Sequence, residues 1–78
     1  MFYTYILKLN NNKYYSSYSS SLQKRMLEHK RGGVKATKDS LPIKLEFYAA
    51  FKNRRLATKF EKYLKSSSGF AFRNKRLI

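Results

Sequence analysis

The sequence predicts a small α/β (α+β) domain in which a β-hairpin leads directly into a basic helix. The first stretch of the chain is aromatic and β-branched without a turn residue, which is typical of a strand. The charged and apolar residues after Ser21 recur instead at helical spacing. A chain of 78 residues suits one domain but is too short for two separate cores. We therefore expect a single domain over residues 1–78.

The first predicted element is a hairpin of two strands, residues 2–9 and 14–18, joined by three asparagines. Strand 2–9 reads FYTYILKL and is largely apolar on both faces, so it is expected to be central in its sheet. If the loop consists of the three asparagines, Tyr5 opposes Ser17, and Tyr5 and Tyr15 share one face. A two-residue turn would place the two tyrosines on opposite faces.

A basic helix is predicted to follow Ser21 and to end before the glycine pair at 32–33. The serines at 19–21 are candidate N-caps, because their hydroxyls can accept the free N–H groups of a first helical turn. Such a helix end attracts anions. Arg25 and His29 are four residues apart, so they lie one turn apart along the edge of the apolar stripe.

The rest of the chain predicts an exposed basic loop at 31–41, a third strand at 43–51 and a second helix capped by Asn53 and ending at Lys65. A serine and glycine run then breaks the helix, and residues 70–78 are expected to form a short closing segment. The alternating apolar residues of the third strand are predicted to share one face: Ile43, Leu45, Phe47, Ala49 and Phe51.

The charge of the chain indicates a polyanionic partner. Eighteen Lys and Arg residues against four Asp and Glu residues give a formal net charge of +14. Nucleic acid is the expected partner, and a solubilising charge excess or an anionic membrane surface are the alternatives. The seven tyrosines and six phenylalanines are too many for a disordered basic tail, and they supply a core as well as stacking surfaces.

Several classes of protein are disfavoured by composition. The chain has no cysteine and one histidine, which excludes disulfides and the usual structural zinc sites. No apolar run approaches the length of a membrane span, and the N-terminus lacks the layout of a signal peptide. We therefore expect a cytoplasmic protein without a membrane partner, and the sequence sets no oligomeric state.

Five polar residues stand beside apolar positions: Tyr5, Tyr15, Arg25, His29 and Glu61. Such a set could cleave a phosphodiester, with a phenol activating water, a guanidinium on the phosphate and a carboxylate holding a metal ion. Each residue also has a structural interpretation, since strand tyrosines are often core residues and Glu61 can pair with Lys65 at i+4. On the pattern alone, the structural interpretation is preferred for each residue.

The order and spacing of four segments change that preference. The tripeptide YTY at 3–5, the tripeptide YSS at 15–17, the run SSSLQKRMLEH at 19–29 and the run FEKYLK at 60–65 follow one another in the chain. In this order they resemble the GIY-YIG nuclease family, in particular its small stand-alone bacterial members. The resemblance covers nearly the whole chain, and four landmarks in order are more specific than one short motif.

The resemblance implies a three-stranded antiparallel sheet flanked by helices and metal-dependent hydrolysis of nucleic-acid phosphodiesters. Tyr15 would help to activate water, Tyr5 would assist, Arg25 would hold the scissile phosphate, and His29 would stand where the family has tyrosine or histidine. Glu61 would bind one divalent ion, Mg²⁺ or Mn²⁺. The residues expected to bind nucleic acid, which is DNA in the leading interpretation, are basic: Lys24, Arg31, Lys35 and Lys38.

The chain departs from the family pattern at its glycines. Tyr3 occupies the first glycine position, and Ser16-Ser17 replaces the usual Ile/Val-Gly pair. Glycine permits close backbone approach, so Ser17 is expected to narrow the site or alter its hydrogen bonds. The hypothesis of an endonuclease therefore competes with that of a nucleic-acid-binding module of the same fold whose cleavage is weak or lost. A ribosomal-type basic protein is the third hypothesis.

Overall fold

A computed structural model describes residues 1–78 and shows one three-stranded sheet with three helices. The strands pair antiparallel in the order β2-β1-β3. This confirms the predicted three-stranded antiparallel sheet flanked by helices. None of the helices is both long enough and apolar enough to cross a membrane. The elements, in chain order, are β1 (Phe2–Lys8), β2 (Tyr14–Ser19), α1 (Leu22–Lys30), β3 (Lys44–Phe51), α2 (Arg54–Leu64) and α3 (Ser67–Arg76).

The hairpin has the predicted register. Tyr5 lies opposite Ser17 and Leu7 lies opposite Tyr15 across β1 and β2. The loop is the run of three asparagines, in which Asn12 takes a φ of +65°, a left-handed conformation that asparagine tolerates better than most residues. Tyr5 and Tyr15 therefore lie on the same face of the sheet, as the three-residue loop requires.

The central strand β1 is covered on both faces, also as predicted. Residues 4–7 of β1 are fully buried. On one face, the Thr4 hydroxyl donates a 2.7 Å hydrogen bond to the Ala57 carbonyl of α2. Aromatic packing joins α2 to β3 on the same face, because the Phe60 ring lies 6.3 Å from Phe47 and 5.5 Å from Phe51. Helix α1 lies against the opposite face, where Tyr5 contacts it.

The uniform alternation predicted for β3 is wrong at one point. Pairing of β3 with β1 shifts by one residue between Ile6 and Leu7, so that Ile6 opposes Phe47 but Leu7 opposes Leu45. An extra residue in one strand changes the face on which the following side chains lie. Phe47 accordingly packs on Phe60, whereas Leu45 lines an apolar groove with residues of α1.

The two predicted helix starts have different outcomes. Helix α2 begins as predicted, because the Asn53 side chain accepts a 2.9 Å hydrogen bond from the Leu56 N–H. Helix α1 begins after Ser21, but the Ser21 hydroxyl caps no backbone N–H. The neighbouring Ser19 hydroxyl instead accepts from the Ser21 N–H at 3.1 Å. The serine run therefore forms a local turn before α1, and the expected hydroxyl cap is wrong.

The closing segment, expected to be short and to start at residue 70, is a ten-residue helix, α3, that starts at Ser67. The serine run expected to end α2 also starts α3, since the Ser66 hydroxyl accepts a hydrogen bond from the Gly69 N–H at 3.2 Å. A Cβ at Gly69 would overlap the carbonyl oxygen of Tyr63, so glycine lets α3 pack directly against the end of α2. The position of α3 relative to α2 depends on this contact.

Candidate active site

Tyrosine, histidine and arginine side chains meet on the α1 side of the sheet. The Tyr5 hydroxyl and the His29 Nε2 are 2.9 Å apart. The Tyr15 ring lies edge-on to the His29 ring, with 5.8 Å between centroids. Arg25, one helical turn before His29, interacts with the Tyr5 phenol. The fold thus brings together four of the five residues expected in the site, because the hairpin register and the i, i+4 spacing of α1 converge.

The family resemblance implies catalytic roles for Tyr5 and His29, but neither side chain lines an open cleft. Both are completely buried. The second ring nitrogen of His29, Nδ1, lies 2.7 Å from the hydroxyl of Thr37, which is buried as well. A neutral imidazole has one donor and one acceptor, and it can satisfy both with two hydroxyl partners. Tyr5, His29 and Thr37 therefore form a closed hydrogen-bonded chain beneath the surface, which we call the buried triad.

Burial keeps the buried triad uncharged. Burial lowers the pKa of His29, and the positive charge of Arg25 lowers this pKa further, with Glu28 acting weakly against it. Burial likewise raises the pKa of Tyr5, although the contacts of the phenol with Arg25 and Ser17 oppose that rise. The Tyr5 contact raises the pKa of Arg25, which stays a cation. A neutral phenol and a neutral imidazole thus lie directly behind a guanidinium.

Arg25 and Tyr15 are the members of the group that solvent can reach. The Arg25 and Glu28 side chains are each about one-third exposed and form a loose ion pair with 3.7 Å between Nη1 and Oε1. Arg25 also lines a polar groove of about 270 Å³ with Lys24 and the serines that precede α1. A loose, exposed ion pair of this kind adds little stability, so an anion can compete with Glu28 for Arg25.

Glu61 lies on α2, which packs on the face of the sheet opposite to α1. It lies on the same stripe of α2 as the buried residues Ala57 and Leu64, and its side chain is only 16% exposed. Its carboxylate accepts a 2.8 Å hydrogen bond from the Nζ of Lys65 and none from the other four site residues. Lys65 in turn lines a groove with Tyr15. Lys65 therefore connects Glu61 with the groove beside Tyr15.

The donor set near Glu61 is compatible with a hard divalent cation. The structure contains no cluster of three or more His, Cys, Asp or Glu side chains that could hold a metal ion. Mg²⁺ does not need one, because it retains several waters and commonly takes one or two carboxylates together with substrate phosphate oxygens. Lys65, whose side chain is 57% exposed, can rotate away from Glu61 into solvent. The residues present therefore fit a site with one protein carboxylate.

The four basic residues predicted to bind nucleic acid are all exposed. Lys24 lies in the polar groove beside Arg25. Arg31 follows the last residue of α1. Lys35 and Lys38 lie on either side of Thr37 in the segment that covers the buried triad. The structure thus distributes these charges around the Arg25 side of the molecule.

Two residues that sequence reasoning did not single out belong to this region. Thr37 completes the buried triad, but a threonine in a basic loop carries no signal of that role. Arg73 of α3 is only 8% exposed, and its guanidinium carbon lies 5.2 Å from the Tyr14 ring centroid and 4.4 Å from that of Phe70. Phe70 and Arg73 are three residues apart, a spacing that brings two side chains together in a helix. A helical interpretation of residues 70–78 would therefore have predicted their contact.

Comparison with known proteins identifies the relatives of this chain. The model of the GIY-YIG family, described as the GIY-YIG catalytic domain, matches residues 1–76. A UPF0213 protein of Clostridium perfringens is 38% identical over 66 residues, which are 83% of this chain and 71% of the relative. The UPF0213 protein YazA of Bacillus subtilis is 37% identical over 62 residues, covering 78% of this chain and 63% of the relative.

A solved structure shares the fold. The solution NMR structure of a UPF0213 protein from Bacillus halodurans superimposes with a TM-score of 0.57 at 28% sequence identity. The match covers 92% of this chain and 81% of the other. The family match spans all of the residues that form the sheet, the helices and the site. The chain therefore belongs to the GIY-YIG family, and its relatives there include the bacterial UPF0213 proteins.

Proposed function

We propose that the protein is a metal-dependent endonuclease that hydrolyses phosphodiester bonds in nucleic acid, with DNA as the expected substrate and residues 1–78 acting as one nuclease domain. The observation that supports this best is the meeting of Tyr15 and Arg25 at the surface, directly over the neutral Tyr5 and His29. Ordinary packing does not require two phenols, an imidazole and a guanidinium at one point. A phenol that orients water and a guanidinium that binds phosphate suit phosphodiester hydrolysis.

The exposed and the buried side chains of the site are expected to have different roles. Arg25 is expected to bind the scissile phosphate, because a guanidinium offers paired N–H donors that match two phosphate oxygens. Tyr15 is expected to orient the attacking water for its approach to the phosphorus. Tyr5 and His29 are fully buried and do not reach the substrate. Their role is to hold the Tyr15 ring and the Arg25 guanidinium in place. This assignment gives all four residues a role without placing the buried ones on the substrate.

Glu61 is the residue expected to hold the single divalent ion, Mg²⁺ or Mn²⁺. When bound, such an ion neutralises charge on the phosphate and stabilises the leaving oxygen. Lys65 keeps the Glu61 carboxylate compensated when no metal is present. The side chain of Glu61 is thus held at one position before the metal arrives, which reduces the ordering that binding requires.

The charge distribution supports nucleic acid as the partner. The formal charge of +14 favours a polyanion, and Lys24, Arg31, Lys35 and Lys38 are exposed to meet one. Phosphate contacts of this kind contribute affinity without sequence preference. We also propose a cytoplasmic location, because the proposed partner is nucleic acid.

The decisive experiment compares two carboxylates that differ in position. Glu61→Gln keeps size and helix propensity but removes the charge that a hard cation needs. Glu46→Gln is the matched control, because Glu46 is also largely buried and lies 4.0 Å from a lysine, Lys44, but on β3. We expect Mg²⁺-dependent cleavage of branched, single-stranded or duplex DNA to be lost in Glu61→Gln and kept in Glu46→Gln.

Binding and folding provide the checks on that experiment. Each substitution raises the net charge by one, so nucleic-acid affinity should be retained or slightly increased in both variants. Circular dichroism should show both proteins folded. Equal cleavage by wild type and Glu61→Gln would refute the assignment of Glu61 to the metal.

A binding module with the same fold is the second candidate. It is favoured by Ser16 and Ser17, which replace the usual Ile/Val-Gly pair; Ser16 is buried, and Ser17 interacts with the Tyr5 phenol. A side chain at Ser17 fills space that a glycine would leave open. This candidate predicts salt-dependent binding without Mg²⁺-dependent cleavage of any of the three DNA forms.

A further inference from the structure

A second groove, lined by two basic side chains, lies between the edge strand β2 and helix α3. Its volume is about 280 Å³, and Tyr14, Tyr15 and Ser16 form one wall. Helices α2 and α3 form the other wall, with two cations among their side chains, Lys65 and Arg73. Because Tyr15 belongs to this groove, the groove adjoins the proposed site of hydrolysis.

Arg73 is a buried cation without a carboxylate partner. It is only 8% exposed, yet no acidic side chain lies within ion-pair distance of it. Its Nε donates one weak hydrogen bond, 3.3 Å long, to Oδ1 of Asn74. Every side-chain nitrogen or oxygen that is fully buried has a hydrogen-bond partner. The terminal nitrogens of Arg73 have none, so they are not fully buried, and Arg73 lines the groove.

Two aromatic rings hold the Arg73 guanidinium in position. Its central carbon lies 4.4 Å from the Phe70 ring centroid and 5.2 Å from that of Tyr14. Aromatic rings attract a cation without using its hydrogen-bond donors. The rings therefore hold the guanidinium in place and leave its N–H groups free to bind a ligand. Burying an unpaired charge is unfavourable, which indicates that the cation serves an anion that this chain does not itself provide.

We propose that Lys65 and Arg73 form a phosphate-binding subsite, separate from Arg25, which takes a phosphate of the nucleic-acid strand next to the one that is cleaved. The proposal rests on the proposed function for the identity of the ligand. Arg25 lies at the α1 side of Tyr15, and the Lys65–Arg73 groove lies at its α3 side. A strand held at both places would pass over Tyr15, which lines the groove and lies near Arg25.

The first test uses wild-type protein and inorganic phosphate. In NMR spectra of the arginine side chains, the Nε–Hε signal of Arg73 should shift and saturate as phosphate replaces chloride at constant ionic strength. Arg76, exposed on the same helix, is the internal control and should shift little. A shift at Arg73 no larger than that at Arg76 would overturn the subsite. Saturation at Arg73 with no effect of the Arg73 substitution on strand binding would identify an adventitious ion only.

The second test measures binding of a short fluorescent single-stranded DNA as a function of salt. Arg73→Met keeps the length of the side chain and removes the charge, and Arg76→Met is the matched control on α3. We expect Arg73→Met to weaken binding roughly tenfold, the loss of one charge-assisted contact. The salt slope should fall by about 0.7, the value for one phosphate of a single strand. Arg73→Lys should recover part of the affinity.

The outcomes separate this inference from the proposed function. If wild type cleaves no DNA but Arg73→Met still weakens binding more than Arg76→Met, the phosphate subsite stands and the nuclease proposal fails. If wild type cleaves and the two variants bind alike, the nuclease proposal stands and the subsite fails. If Arg73→Met does not fold by circular dichroism, the phosphate titration of wild type decides.

Discussion

The two faces of the sheet are built on different principles. On the α2 side, Phe60 packs with Phe47 and Phe51, and Ala57 and Leu64 are buried with them. On the α1 side, the buried triad places two hydroxyls and an imidazole in the core. Both faces exclude water from β1, but one does so with apolar contacts and the other with hydrogen bonds.

This difference separates stability from function. Apolar contacts tolerate small shifts in geometry, because dispersion and the hydrophobic effect have little directionality. A buried hydrogen-bond chain has one satisfied arrangement and is costly when one partner is missing. The α1 side therefore fixes the orientation of the groups beneath Tyr15 and Arg25, whereas we expect single apolar contacts on the α2 side to contribute more to stability. The free energies of unfolding of single-residue variants on the two faces distinguish these contributions.

The largest effect is expected on the aromatic side. Phe60→Ala removes a ring that contacts two phenylalanines of β3, and it should lower the free energy of unfolding by about 3 kcal/mol. Urea denaturation monitored by circular dichroism gives this value. Cleavage per folded molecule should remain, since Phe60 lies outside the site. A cost below that of the buried-triad variants would contradict the division between the faces.

A smaller effect is expected in the buried triad. Thr37→Val keeps the shape of the side chain but leaves the Nδ1 of His29 without its hydroxyl partner, and it should cost about 1–2 kcal/mol. Thr37→Ser retains the hydroxyl and is the matched control. Unlike Phe60→Ala, Thr37→Val should also reduce cleavage per folded molecule, because His29 supports Tyr15. Unchanged cleavage would show that the triad is only structural.

The pH dependence of stability should come from the same face. The pKa of His29 lies below its ordinary value of 6.5 in the folded protein, so the unfolded chain binds more protons just below that pH. Stability is therefore full above pH 6.5 and falls as the pH drops toward the folded pKa, by at most about 1.4 kcal/mol per pH unit. His29 is the single histidine, so His29→Gln should flatten the profile in this window.

The smallest effect on stability is expected at the exposed lysines over the buried triad. Lys35→Ala and Lys38→Ala remove no buried contact and should change the free energy of unfolding by less than about 0.5 kcal/mol. Each should nevertheless weaken binding to nucleic acids of different sequence to a similar extent and reduce the salt slope. A change in sequence preference would mean that these lysines contact bases, not phosphates.

Much of the fold was predictable because its signals are local. The three strands, the first two helices, the Asn53 cap and the hairpin register all depend on residues close in sequence. The predictions that were wrong concern segments whose structure depends on contacts between distant elements. The β3 bulge turns Leu45 toward α1, and α3 forms where Gly69 packs against Tyr63. Neither contact leaves a pattern within a short stretch of sequence.

The sequence by itself determined the family, the basic charge and the spacing that lets Tyr5, Tyr15, Arg25 and His29 converge, because strand and helix periodicities are properties of the local chain. Only the tertiary structure decided how deep each of these groups lies. His29 occurs in a polar run, and its burial results from Thr37 and Tyr5 arriving from separate segments to satisfy both ring nitrogens. Arg73 likewise became a buried cation only when α3 placed it between Phe70 and Tyr14. Burial is set by the sum of contacts from distant parts of the chain, and only the folded packing brings those parts together.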